Sequence, residues 1–68
     1  MEQKEFEKIM AHVIDSMKSA GYDPLTQLIG YLQTNNDTFI TRTGDARSIV
    51  RSLDREQIEK YGAKNLKL

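Results

Sequence analysis

The fold of this 68-residue chain is decided by one stretch, Gly21-Tyr22-Asp23-Pro24-Leu25-Thr26-Gln27-Leu28-Ile29-Gly30-Tyr31-Leu32. Glycine is favoured just after a helix ends, and aspartate followed by proline is typical of the start of the next helix, where we expect the Asp23 side chain to cap free amide groups. The apolar residues that follow have helical spacing, which predicts a helix from Pro24 to about Gln33. The stretch therefore predicts a helix end, a tight turn and a second amphipathic helix.

Three further helices are predicted on either side of this stretch. Apolar residues recur at three- and four-residue steps before it, which predicts a helix over residues 3–20. Apolar spacing predicts another helix over residues 45–53, with Thr43, Gly44 or Asp45 as its cap. Asp54 with Gln57 is typical of a capping box that opens a last helix. We expect Gly62 to weaken that helix, leaving residues 63–68 frayed or docked by Leu66.

The loop over residues 34–44 is predicted to carry two buried anchors, Phe39 and Ile40. Since no strand pattern or repeat is present, the sequence predicts an all-α fold, a compact bundle of three to five short helices in one domain over residues 1–68. So small a core gains from burial shared between two copies, so we expect a homodimer.

Gly30 is disfavoured inside a helix by about 1 kcal/mol relative to alanine. We expect it to permit close approach of another helix, for example across the dimer interface.

Composition limits the function. The net charge is zero, from ten basic and ten acidic residues, which disfavours nonspecific nucleic-acid binding. The absence of cysteine excludes disulfides and thiolate metal sites. No apolar run reaches the roughly 20 residues of a membrane helix, and the charged N-terminus leads into no secretory segment, so a cytoplasmic location is expected. His12 is a lone surface histidine, so we expect no metal site, no cofactor and no enzyme activity.

The best candidate site is the arginine segment, which we define as residues 42–55. It holds all four arginines and no lysine, namely Arg42, Arg47, Arg51 and Arg55. Arg47 and Arg51 share a helix face, and guanidinium groups suit recognition of carboxylate or phosphate. We therefore expect a protein partner to bind here. The pattern also fits a solvated helix face whose arginines pair with Asp45, Asp54 or Glu56.

A second possibility is a small helix-turn-helix DNA-binding protein that reads DNA through Arg47, Ser48 and Arg51. Zero net charge and so short a reading face argue against it.

The remaining candidates are polar residues of the turn and the loop. Tyr22, Pro24, Gln27, Gly30 and Tyr31 are predicted as scaffold or dimer residues. The two tyrosines could be exposed interaction residues, but we expect their rings to pack on the turn and core. Gln27 is expected to bond to backbone at the turn or across a dimer, or to be solvated. Thr38, Thr41 and Thr43 lie in the loop and are eligible for phosphorylation, but the sequence assigns no phosphorylation site.

Four pieces of the chain, in order over residues 13–58, resemble the IreB family of small regulatory phosphoproteins. They are residues 13–24 with the turn Gly21-Tyr22-Asp23-Pro24, then Gln27 with Gly30-Tyr31-Leu32, then Ala46-Arg47-Ser48-Ile49-Val50-Arg51, and finally Asp54-Arg55-Glu56. The resemblance implies a noncatalytic, all-helical homodimer in the cytoplasm of Gram-positive-type bacteria. It also implies control by membrane-anchored Ser/Thr kinases that sense peptidoglycan, and a role in cell-envelope homeostasis and β-lactam tolerance. In part of the family this role works through regulated proteolysis of an early peptidoglycan-synthesis enzyme.

Two departures from the family pattern stand out. Family members usually carry a phosphorylated threonine in a flexible N-terminal arm, whereas here no threonine precedes Thr26 and Met1 almost opens the first helix. That phosphorylation site therefore does not transfer to this chain. The segment Lys60-Tyr61-Gly62-Ala63-Lys64 also lacks the family's acidic and apolar run. Both departures fit a divergent paralogue that has kept the scaffold and lost the kinase switch.

Overall fold

Helices make up most of the chain. The computed structural model describes residues 2–67 and contains α1 (Gln3–Ser19), α2 (Pro24–Thr34), α3 (Ala46–Ser52) and α4 (Arg55–Asn65). Two 3-10 turns, Asp37–Phe39 and Thr43–Asp45, lie between α2 and α3. No strand occurs within residues 2–67, which confirms the all-α prediction, and each predicted helix forms with its start within a residue or so of the expected position.

The turn between α1 and α2 forms as the sequence predicts. Gly21 adopts a φ of +85°, the left-handed conformation that glycine reaches without a steric penalty. The Tyr22 N–H donates to the Met17 carbonyl at 2.9 Å, and the Gly21 N–H donates to the Lys18 carbonyl at 3.0 Å. This pair of bonds is a Schellman motif, which satisfies carbonyls that the end of α1 would leave free.

The predicted role of Asp23 as a side-chain cap is wrong. Asp23 occupies the N-cap position of α2, but its carboxylate makes no capping bond to a backbone amide. The carboxylate oxygen Oδ2 instead accepts from the Thr26 hydroxyl at 2.8 Å. The Thr26 hydroxyl, in the first turn of the helix, is the donor that the Asp23 carboxylate binds. Pro24 has no N–H, so one of the backbone amides that would need a cap is absent.

The core lies where all four helices meet. α1 packs against α3 and the second 3-10 turn, while α2 packs against α4 and the first 3-10 turn. The fully buried large side chains are Phe6, Met10, Val13, Met17, Leu28, Ile40, Val50 and Ile58. Ile40 is thus the buried anchor that was predicted. The prediction that Phe39 is also buried is wrong, because 46% of that residue is exposed.

The last helix is longer than predicted. The Asp54 side chain accepts from the Glu56 N–H at 3.0 Å, which confirms Asp54 as the N-cap, whereas the described hydrogen bonds include no reciprocal bond from Gln57. α4 continues through the buried Gly62 to Asn65, so fraying from residue 63 is wrong. Leu66 is half-buried and packs against the core, which anchors the end of the helix as the docking alternative expected. Leu68 lies outside the described residues.

Candidate functional site

Side chains from two helices hold the connecting loop, which we define as residues 35–45, from opposite sides. From α2, the buried Gln27 accepts through Oε1 from the Thr41 N–H at 3.1 Å. From α3, Nε of Arg47 donates to the Ile40 carbonyl at 2.9 Å, and Nη2 of the same guanidinium donates to the Thr38 carbonyl at 3.5 Å. Gln27 was expected to bond to backbone at the turn or across a dimer, or to be solvated; it is buried and does bond to backbone, but the partner lies in the connecting loop rather than at the turn. The role of Arg47 was not predicted from the sequence, because it depends on where the loop backbone runs.

Gly30 is required by packing within the chain. A Cβ atom placed on Gly30 would lie 2.6 Å from Cδ1 and 2.8 Å from Cγ of the Phe39 ring. Real Cβ atoms do not tolerate such distances, so the ring occupies the space that a larger residue at position 30 would need. The close approach expected at Gly30 is therefore present, but the neighbour is an aromatic ring of the connecting loop rather than another helix. A role for Gly30 in a dimer stays a prediction.

The other arginines of the segment have different environments. Nε of Arg51 pairs with Oδ2 of Asp37 at 2.9 Å, so the predicted pairing with Asp45, Asp54 or Glu56 is wrong. The carboxylate that pairs with Arg51 belongs to the first 3-10 turn of the connecting loop. Arg55 donates to the Leu32 carbonyl, and its guanidinium carbon lies 5.9 Å from the centroid of the Tyr31 ring, within the range of a cation–π contact. Arg55 thereby links α4 to α2.

Three of the four arginines line one surface hollow, which we call the arginine depression. Its lining residues are Asp37, Arg42, Asp45, Arg47, Ser48 and Arg51. Within residues 2–67, the Arg42 guanidinium and the Ser48 hydroxyl make none of the described hydrogen bonds or ion pairs. Arg55 does not line the depression: α3 ends at Ser52, and Asp54 opens the separate helix α4 that carries Arg55. Two arginines of the depression, Arg42 and Arg51, therefore have free donor groups. The third, Arg47, bonds to the loop backbone.

The predicted scaffold residues separate into buried and exposed ones. Tyr31 and Pro24 are buried as expected. Tyr22 is 53% exposed, so the prediction that its ring packs on the turn is wrong. The Schellman bonds of the turn use backbone groups only and need no ring to cover them.

The remaining polar candidates lie near the loop. His12 is exposed as predicted, and its Nε2 hydrogen-bonds the Gly44 carbonyl at 2.9 Å, which ties α1 to the second 3-10 turn. Thr38 and Thr43 are exposed, whereas Thr41 is half-buried. Within residues 2–67, no group of three metal-ligating side chains occurs, and no helix is long and apolar enough to cross a membrane.

The fold and the arginine depression together define a small all-α protein. Its candidate binding surface is formed by α3 and by the connecting loop, to which Arg47 of that helix bonds. The sequence matches the model of one known family, described as IreB regulatory phosphoprotein, over residues 1–62. The chain belongs to this IreB family. The match confirms the resemblance seen over residues 13–58 and extends it in both directions, so a regulatory role is established at the level of the family.

Proposed function

We propose that this protein regulates by binding other proteins rather than by catalysis, and that the arginine depression is its partner-binding surface. The observation that carries the proposal is the pair Arg42 and Arg51. The Arg42 guanidinium has no described partner, and Arg51 bonds to Asp37 through Nε alone, with 65% of its side chain exposed. Exposed guanidinium donors, one on α3 and one in the connecting loop beside it, suit recognition of acidic or phosphorylated groups.

Arg47 supports this surface in a different way. Because its guanidinium donates to two loop carbonyls, Arg47 shapes the depression instead of offering free donors. A substitution at Arg47 would therefore disturb both folding and binding. The binding role is better tested at Arg42 and Arg51, whose loss removes no described bond to the backbone.

The test is affinity capture from the native cytosol with the intact chain as bait. Partners captured by the wild type are identified by mass spectrometry and compared with those of the double variant Arg42→Gln with Arg51→Gln. A matched control is Lys4→Gln with Lys8→Gln, which removes two exposed charges from α1. We expect the arginine variant to lose a partner that the lysine variant keeps. Equal recovery by all three baits would refute the site.

Self-association forms the second part of the proposal. A largely apolar groove between α2 and α4 is lined by Ile29, Leu32, Gln33, Glu59 and Ala63. We assign this groove to a second copy of the chain, since burying it would add apolar contact to a core that a short chain keeps small. The groove lies on different residues from the arginine depression, so a dimer would leave both depressions open.

The cellular context follows from the family resemblance. We propose a cytoplasmic bacterial regulator of cell-envelope homeostasis. Because no threonine precedes Thr26, we propose that a Ser/Thr kinase acts on the loop threonines in place of the lost N-terminal switch. Thr38 and Thr43 are the exposed loop threonines, and the Thr38 hydroxyl is engaged only in a local bond to the Asn36 side chain at 2.8 Å. Intact-mass analysis after coexpression with the host kinase is expected to show an added phosphate, which fragmentation would place in the loop. An unmodified mass would contradict kinase control.

A further inference from the structure

Two neighbouring surface hollows meet at one ion pair. Asp37 and Arg51 line the arginine depression, and both also line a second hollow with Tyr31, Asn35 and Asn36. Theirs is the one ion pair among residues 2–67, with side chains 65% exposed at Arg51 and 30% exposed at Asp37. Ion pairs this exposed to water contribute little free energy. The bond between Arg51 and Asp37 can therefore be replaced by a bond from Arg51 to another group at a small cost in free energy.

The arginine depression holds more donors than it uses. Arg51 meets Asp37 through Nε only, which leaves its terminal N–H groups without a described acceptor in residues 2–67. Arg42 and Ser48, on the same depression, add a guanidinium and a hydroxyl that are equally without described partners there. These donors can converge on an acceptor that enters from solvent.

The charges of the depression restrict what that acceptor can be. Three guanidinium groups share the hollow with the carboxylates of Asp37 and Asp45. An incoming carboxylate carries one negative charge, so it gains little by replacing Asp37 on Arg51. The phosphodiester of a nucleic acid also carries one charge. A phosphate monoester carries nearly two negative charges at neutral pH and three acceptor oxygens, so it can hold two guanidinium groups at once.

We propose that the arginine depression binds the phosphate dianion of a phosphorylated serine or threonine on a protein partner. Arg42 and Arg51 donate to the phosphate, and Asp37 is the internal carboxylate that the phosphate displaces. The proposal rests on the proposed function, in which this surface meets a protein, and it names the group that the surface recognises.

The experiment is an NMR titration of the ¹⁵N-labelled full chain with three capped peptides of the same sequence. Their central residue is phosphothreonine, threonine or glutamate. We expect the phosphothreonine peptide alone to give saturable shifts of the Ser48 amide and the Arg51 Nε–H. No saturable shift, or an equal response to the glutamate peptide, would overturn the proposal. Inorganic phosphate binding as tightly as the phosphopeptide would also overturn it, since the site would then take the free anion.

Substitutions at the ion pair give opposite expectations. Arg42→Gln or Arg51→Gln should each weaken phosphopeptide binding about tenfold, the effect of losing one charge-assisted hydrogen bond. Asp37→Asn removes the internal competitor and should tighten binding. Glu5→Gln makes the same charge change on the first turn of α1 and should have no effect. Weaker or unchanged binding by Asp37→Asn, in a variant whose spectrum stays native, would refute displacement.

The outcomes separate this proposal from the proposed function. Partner capture that depends on Arg42 and Arg51, combined with no phosphopeptide binding, would refute phosphate recognition and leave the partner-binding surface standing. Phosphopeptide binding without any arginine-dependent partner in the cytosol would do the opposite. Amide spectra of each variant show whether it is folded, and Arg42 serves as the safer position because its guanidinium has no described contact to lose.

Discussion

The ring of Phe39 lies directly over the backbone of Gly30, so close that a Cβ atom on Gly30 would lie 2.6 Å from Cδ1. The glycine sits inside α2 and the ring belongs to the first 3-10 turn. Loop and helix therefore fit together only because position 30 has no side chain. This contact also keeps a residue that is 46% exposed in a fixed place on the surface.

We predict that Gly30→Ala changes stability in opposite directions depending on Phe39. In the wild-type background the added methyl displaces the ring, a kind of overpacking that costs about 1–3 kcal/mol. The helix-propensity gain of about 1 kcal/mol offsets only the lower end of that range, so we expect a net loss of stability. In a Phe39→Ala background only the propensity gain is left, so the same substitution should stabilise. Urea denaturation of the four chains completes the double-mutant cycle. Equal effects in the two backgrounds would show that the ring does not restrict position 30.

Gln27→Ala should lower the free energy of unfolding by about 1–3 kcal/mol, because the Thr41 N–H would lose its side-chain acceptor. Gln3→Ala is the matched control, since Gln3 is an exposed glutamine of α1 that does not line the groove between α2 and α4. Chemical denaturation gives both values, and amide hydrogen exchange at Thr41 should accelerate in the Gln27 variant. Exchange at Thr41 that matches the wild type would contradict the bond.

Arg47→Ala should destabilise the protein more than Arg51→Ala does, although both residues lie on α3. Removing Arg47 leaves the Ile40 carbonyl without its donor, at about 1–3 kcal/mol. Removing Arg51 breaks an exposed ion pair of about 0–1 kcal/mol. Thermal unfolding of the two variants under identical conditions makes the comparison. A larger loss for Arg51 would reverse the roles assigned to them.

Ala63→Arg should convert a dimer into a folded monomer. Ala63 is exposed and lines the groove between α2 and α4, so an arginine there adds charge to the proposed contact without entering the core. Light scattering at micromolar concentration gives the molar mass of the wild type and the variant. Ala11→Arg, at an exposed position of α1, should stay dimeric. A wild-type chain that is strictly monomeric would contradict the dimer itself.

Duplex DNA should not bind to this protein in a salt-dependent way. The reading face of α3 would need Arg47 free, yet Arg47 donates to loop carbonyls, and the Asp37 carboxylate beside Arg51 would repel the phosphates of DNA. With a net charge of zero, the chain also lacks the surplus that drives counterion release. A mobility-shift assay at about 50 mM salt is a sensitive condition for this test. A shift that weakens steeply as salt is added would favour the helix-turn-helix alternative.

Sequence patterns predicted the features that depend on neighbours along the chain. Gly21 ends α1, Pro24 starts α2 and Asp54 caps α4, and each is a local preference of backbone geometry or hydrogen bonding. The apolar spacing of α1 likewise predicted its buried face, since helical periodicity determines which side chains share a side.

Contacts between distant segments were not predictable in the same way. Nothing in the local pattern of Arg47 shows that the loop carbonyls of Thr38 and Ile40 lie beside it. An aromatic residue such as Phe39 is typical of a core, but its ring packs over Gly30 at the surface and stays partly exposed. Both depend on the path of the connecting loop, which helix periodicity does not specify. The family match identifies a regulator but does not assign the arginine depression.

The bonds from Gln27 and Arg47 to the connecting loop determine which substitutions this chain can tolerate there. Both side chains bond to main-chain atoms, the Thr41 N–H and the carbonyls of Ile40 and Thr38. Every residue type offers a carbonyl, and every type except proline offers an amide hydrogen. The side chain at position 38 can therefore change while these bonds stay in place, whereas the Thr41 hydroxyl also accepts from the Thr43 N–H at 3.2 Å. A different phosphoacceptor or partner contact can thus be placed at position 38 on the same backbone, whereas proline at position 41 would remove the amide that Gln27 binds.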